Sequence, residues 1–147
     1  MVESVTALRE VWKGELVTFQ GEHVRLRDAA CTPAPPVPPR VVVGVGNSRR
    51  LIDAAVGYAD ELNVYGDREM FTYAQEQAAQ AGREIPISVF AHRGEDWTPD
   101  GLVAEIRPWR DQGASCYFLT VGWDDDVPAM VNRLAGAKRE VSDTGTS

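Results

Sequence analysis

Gly44, Val45, Gly46, Asn47, Ser48 and Arg49 follow a run of three valines, Val41–Val43, and lead into an apolar pattern of helical spacing that begins at Leu51. An unbroken run of β-branched residues suits a strand buried on both faces. Glycine lets the backbone turn tightly after it, and Asn47 or Ser48 can cap the helix that follows. Such a turn aims several backbone N–H groups into open space with the helix dipole behind them. That is chemistry for an anion, a phosphate above all. Arg49 and Arg50 fall in the first helical turn, where a cation opposes the dipole and an anionic partner relieves it. Adjacent helical residues point about 100° apart, so one of the pair reaches a ligand, and Arg49 lies nearer the turn. The competing reading is a strand-to-helix turn whose glycines serve packing alone.

Other reactive side chains stand at the ends of apolar runs. His92 closes the run Ile85–Ala91 beside Arg93, Glu95 and Asp96, which suits a general acid or an anion contact as well as a solvated loop. Tyr65 and Asp67 end a second run; they can bond a ligand or cap the next helix. Trp123 ends a third, where it can stack on a flat ring or cover the core. His23 lies in a polar stretch and reads as a surface residue. Asp124–Asp126 lack the oxygen spacing of a calcium loop and suit a helix start, so no metal is expected. No Gly-x-Ser-x-Gly, Cys/His pair or Walker lysine is present.

The elements that must carry these residues follow from periodicity. Val5, Leu8, Val11 and Trp12 predict a helix over residues 2–13, with Ser4 as its cap. Leu16–Leu26 alternates as a short hairpin turning at Gln20-Gly21-Glu22, and a Pro-rich loop runs from Asp28 to Pro39. Leu51–Ala59 marks a helix of about 12 residues, then come a strand at Glu61–Tyr65 and a helix at Phe71–Ala81. A strand at Ile85–Ala91, a helix at Pro99–Gln112 interrupted near Pro108, a strand at Ser115–Val121 and a helix at Val127–Leu134 complete the pattern. Residues 1–136 read as one domain and 137–147 as a flexible tail. Strand and helix thus alternate in four βα units, which implies an α/β fold with a parallel sheet whose ligands bind beyond the C-terminal strand ends.

The length, 147 residues, suits one domain with a real core, and 44% hydrophobic with 25% charged residues is ordinary for a globular protein. A net charge of −7 argues against nucleic acid and anionic membrane as partners, so a phosphate site must be local. No run of 18 apolar residues and no basic-then-apolar leader occurs. The two cysteines, Cys31 and Cys116, form neither a metal pattern nor a disulfide framework. A reduced cytoplasmic protein is the simpler account.

Four pieces succeed one another in a familiar order. They are Leu8-Arg-Glu-Val-Trp-Lys-Gly-Glu-Leu-Val-Thr-Phe-Gln-Gly-Glu-His-Val-Arg-Leu26, the Pro-rich loop, Val41-Val-Val-Gly-Val-Gly46, and Ala54–Asn63 ending in Tyr-Ala-Asp-Glu-Leu-Asn. This succession resembles the C-terminal half of the luciferase-like oxidoreductases and monooxygenases that use FMN or the deazaflavin F420. The resemblance implies a half TIM barrel preceded by an N-terminal helix and a short hairpin. It also implies that Gly44, Val45, Gly46 and Asn47 contact a cofactor phosphate through their backbone.

Four strands do not close a barrel that needs about eight. A partner is expected to cover the bare edges and the apolar face, either as a homodimer or as a separate chain supplying the missing half. Two other functions compete. Gly44-x-Gly46 with Asp67 after a second strand imitates a nicotinamide-dinucleotide unit, although Arg49 stands where that fingerprint wants glycine. A non-catalytic half-barrel scaffold is the third reading, supported by the lack of a self-sufficient acid, base and ring pocket.

Overall fold

The computed structural model describes residues 1–92, 97–120 and 126–143. Its elements run α1 Val2–Val11, β1 Val17–Gln20, β2 Arg25–Ala29, β3 Val42–Gly46, α2 Arg49–Ala55, β4 Glu61–Tyr65, α3 Arg68–Gln80, β5 Ile87–His92, α4 Pro99–Asp111, β6 Tyr117–Thr120 and α5 Val127–Asp143. β1 and β2 form the expected antiparallel hairpin, and β3-β4-β5-β6 form a parallel sheet in chain order. The fold is α/β, a four-stranded half of a TIM-type barrel behind a helix and a hairpin.

Side chains alternate across the sheet, and the register shows which go where. Val43, Leu62 and Ile87 stand level, as do Val64 and Val89. These belong to the core with Ile52, Phe71, Ala74 and Trp109, and Phe71 meets Trp109 edge-on at 5.6 Å. Full burial of a side chain like Phe71 contributes about 1.5–3 kcal/mol relative to exposure. A second cluster joins Trp97, Leu102, Val103 and Ala137 between α4 and α5.

The opposite face has no such cover. Val42, Gly44, Asn63, Tyr65, Ser88, Phe90, Phe118 and Thr120 share it by alternation. Among its large side chains Val42 is 49%, Tyr65 53% and Phe118 47% exposed. Midway up, Asn63 Nδ2 donates to Ser88 Oγ at 2.9 Å, which satisfies the fully buried serine.

The N-terminal elements are tied to this unit by charge. Arg9 of α1 donates to Asp60 at 2.8 Å and to the Tyr58 carbonyl at 2.9 Å, while the other Asp60 oxygen accepts from Val41 N–H at 2.9 Å. Glu3 accepts from the N–H groups of Glu22, His23 and Val24 in the hairpin turn, which hold its carboxyl below the usual carboxylate range.

Several bounds differ from the sequence reading. α1 starts at Val2 with Met1 as its cap, because the Ser4 side chain already lies inside the helix. α2 is only seven residues long: Tyr58 N–H and Ala59 N–H close on the Ala55 carbonyl, and Arg83 takes the Val56 and Ala59 carbonyls. α4 continues through Pro108, which sits in the last turn where its missing N–H costs a single bond, and buried Trp109 holds that turn down. α5 runs to Asp143 rather than ending near Leu134. Met130, Leu134, Ala137 and Val141 form the stripe that packs α5 on α4, so residues 137–143 are helix and not an irregular tail.

Candidate functional site

The C-terminal ends of β3 to β6 lie side by side and gather Gly46, Tyr65, His92 and Thr120. β3 bulges between Gly44 and Gly46, so that Gly44 pairs with Asn63 and Gly46 with the next residue, Val64. Gly46 has φ +54°, a left-handed conformation that glycine adopts without strain. A Cβ on it would stand 3.5 Å from the Tyr65 ring, whereas a Cβ on Gly44 would meet nothing within 4 Å. The strand end therefore puts no side chain of its own on the uncovered face.

Ser48 caps α2, accepting from Leu51 N–H at 3.3 Å. Its own N–H is bonded to the Val45 carbonyl at 3.1 Å, and the Val45 side chain is buried in the core. The backbone N–H groups of Asn47, Arg49 and Arg50 bond to no described residue. Backbone N–H groups left in this way at a helix start can donate to an anion.

The two arginines are unequal. Arg49 pairs with Glu69 of α3 and lies 4.8 Å over the Tyr73 ring. Tyr73 in turn donates to Asp53 at 2.8 Å, a bond that raises the tyrosine pKa. Arg49 thus joins α2 to α3. Arg50 is exposed and has no hydrogen bond or ion pair to any described residue.

Asp67 likewise works within the fold. Its carboxylate accepts from Glu69 N–H at 2.9 Å and Met70 N–H at 3.2 Å and so caps α3. Tyr65 instead faces the open side, its ring 5.8 Å from Phe90. Phe118 stands level with Phe90 on the next strand, so Tyr65, Phe90 and Phe118 make an aromatic row. Phe90 and Phe118 of this row, with Val42, Gly44, Asn63 and Thr120, border an open concavity of about 400 Å³. His92 Nδ1 lies 2.9 Å from Thr120 Oγ1. Trp123, Arg93, Glu95, Asp96 and Asp124 lie outside the described residues. No cluster of His, Cys, Asp or Glu fit for a metal occurs among the described residues, and Cys31 and Cys116 are free thiols.

Sequence reasoning missed Phe90, Phe118 and Thr120 as site residues. The alternation in β5 already separated Phe90 from Ile87 and Val89. Nothing marked Phe118, because Tyr117-Phe-Leu119 is apolar on both faces.

Comparison with known families matches residues 1–142 to the luciferase-like monooxygenases. The chain belongs to the luciferase-like monooxygenase family. Among solved structures, this luciferase-like chain is similar to an F420-dependent secondary alcohol dehydrogenase in complex with an F420-acetone adduct. The two share 14% identity at a TM-score of 0.76, over 95% of this chain and 60% of that one. It is also similar to the monooxygenase RslO1 from Streptomyces bottropensis, with 16% identity and a TM-score of 0.61 over 94% and 57% of the two chains. At such identities the likeness establishes the fold. The chain spans about 60% of the length of these relatives. Comparison with curated proteins gave no match. No described helix is long and apolar enough to cross a membrane.

Proposed function

We propose that this chain supplies the cofactor-binding half of an FMN- or F420-dependent oxidoreductase or monooxygenase. The observation that carries the reading is the end of β3. Gly44 and Gly46 keep the strand end free of side chains on the uncovered face, three N–H groups beside it have no described partner, and Arg50 stands at the same helix start. Those features fit a phosphate ester. The Tyr65, Phe90 and Phe118 rings suit the flat face of an isoalloxazine or deazaflavin. A cofactor of that class, when bound, supplies the hydride or oxygen-activating chemistry. The chain's own residues bind the phosphate, offer an apolar floor and hold one imidazole, His92, through Thr120, where it can give or accept a proton. The family and the F420 complex of the first structural relative support this reading.

The nicotinamide-dinucleotide alternative loses its anchor. It needs a free carboxylate for the ribose, and Asp67 is engaged by α3. Fluorescence titration of the protein with FMN and with F420 tests the proposal. Saturable binding of one of them, lost in Gly44→Val, is expected. Binding of neither by the folded protein overturns it and leaves a scaffold.

A further inference from the structure

We infer that the open sheet face is closed by a second copy of this chain, giving a barrel of two four-stranded halves related by a two-fold axis along the strands. The inference rests on the sheet and not on the cofactor. β3 and β6 each have a strand on one side only, and the sheet is parallel throughout. A two-fold axis along the strand direction places β6 of one copy beside β3 of the other in the same parallel sense, and the second junction repeats the first. Two sets of four strands then reach the number, about eight, at which parallel barrels close.

The face itself is suited to its own image. Val42, Tyr65 and Phe118 are about half exposed in one copy and would be covered by the other. The net charge of −7 would oppose association, yet the face carries little of it. Its one described carboxylate, Glu61, is 8% exposed at the foot of the sheet and paired with Arg40 at 2.9 Å. His92 at the rim is bonded to Thr120. Neutral polar groups, Asn63 and Ser88, fill the middle. Copy against copy therefore sets no like charges of the described residues face to face.

Both edges also carry apolar slots on the helix side. Beside β3, Met1, Val2, Leu51 and Tyr58 border about 230 Å³. Beside β6, Ile106, Leu119, Leu134 and Val141 border about 490 Å³. A strand added at either edge would lie beside one of these apolar slots.

Sedimentation of the full chain over a wide concentration range, paired with hydrogen exchange, tests the inference. The expected species has twice the 16.1 kDa mass of one chain. Val42→Lys and Phe118→Arg alter side chains that one copy leaves half exposed, so each unit should fold, and dimer affinity should fall at least tenfold. Val37→Lys, 73% exposed in the Pro-rich loop, should leave the dimer unchanged. Should either variant unfold, exchange in the native protein decides. Amides in Val42–Gly46 and Tyr117–Thr120 must slow as the dimer forms. A monomer at every concentration, a dimer indifferent to both variants, edge amides that do not slow, an assembly of another size, or pairing only with a different half-barrel chain each overturns it. A dimer that binds neither FMN nor F420 defeats only the proposed function; a monomer that binds one defeats only the second copy.

Discussion

His92 Nδ1 and Thr120 Oγ1 stand 2.9 Å apart and join neighbouring strands at their C-terminal ends. Both residues are exposed, so the bond contributes at most about 0.5–1.5 kcal/mol to folding. Its effect is on where the imidazole points. Thr120→Val should leave thermal stability nearly unchanged while lowering turnover, and Thr120→Ser should restore it. Equal turnover in the wild type and Thr120→Val, in any assay where the proposed activity is seen, would remove His92 orientation from the mechanism.

Gly44 and Gly46 separate two effects of adding a side chain. At Gly46, φ +54° makes any other residue strained by about 1–2 kcal/mol, so a loss of cofactor there mixes with a loss of stability. Gly44 has open space around its missing Cβ, and a strand glycine is otherwise less favourable than alanine by about 0.5–1 kcal/mol. Gly44→Ala should therefore melt at or above the wild-type temperature while FMN or F420 affinity falls. Calorimetry and titration on one preparation read both. Undiminished affinity would place the cofactor elsewhere.

Replacing Arg50 should matter more than replacing Arg49. Arg50→Glu puts a negative charge beside the proposed phosphate and removes a charge-assisted contact worth about 1.5–3 kcal/mol, so affinity should drop at least tenfold. The free protein should melt at the same temperature or higher, since a carboxylate suits a helix start. Arg49→Glu instead faces Glu69 and should lower stability by up to about 1 kcal/mol with a smaller effect on binding. The opposite ranking in a titration would return the anion contact to Arg49.

Acid should loosen the junction between α1 and β3. Burial raises the Asp60 carboxyl, but Val41 N–H and Arg9 outweigh it and hold the group below its ordinary 3.8. A carboxyl depressed in the fold adds stability at pH above its unfolded value, and that stability is lost as pH falls through the folded value. The loss therefore begins near about pH 4 and continues below it. Asp60→Asn should start less stable at neutral pH and fall less steeply in acid. Urea melts at neutral and acid pH compare the slopes; parallel slopes would mean that Asp60 does not drive the acid response.

Most of the architecture was legible because its signals are local. Strand ends at Gly46 and Tyr65 coincide with glycine or a polar residue after a β-branched run, and Ser48 behaves as its residue type suggests. What could not be read depended on partners distant in sequence. An N-capping aspartate and a ribose-binding aspartate look alike until Glu69 and Met70 are seen donating to Asp67. The Arg49–Arg50 pair gave no hint that one arginine leans toward α3, because Glu69 and Tyr73 are 20 or more positions away. The stripe on α5 was hidden by Gly136 and by the basic pair Lys138-Arg139, and it emerges only against α4.

The two bare edges of the sheet also set a hazard. In the proposed dimer β6 would meet β3 of a neighbour head to tail, and a head-to-tail contact ends only if rotation brings the last copy back to the first. At two copies such a ring would close and every edge would be used. A small error in twist at that junction would leave a spiral with a fresh edge at each end, and chains would add without limit. The net charge of −7 repels copy from copy and so would guard against fibre growth at low salt, a guard that should weaken as salt is added.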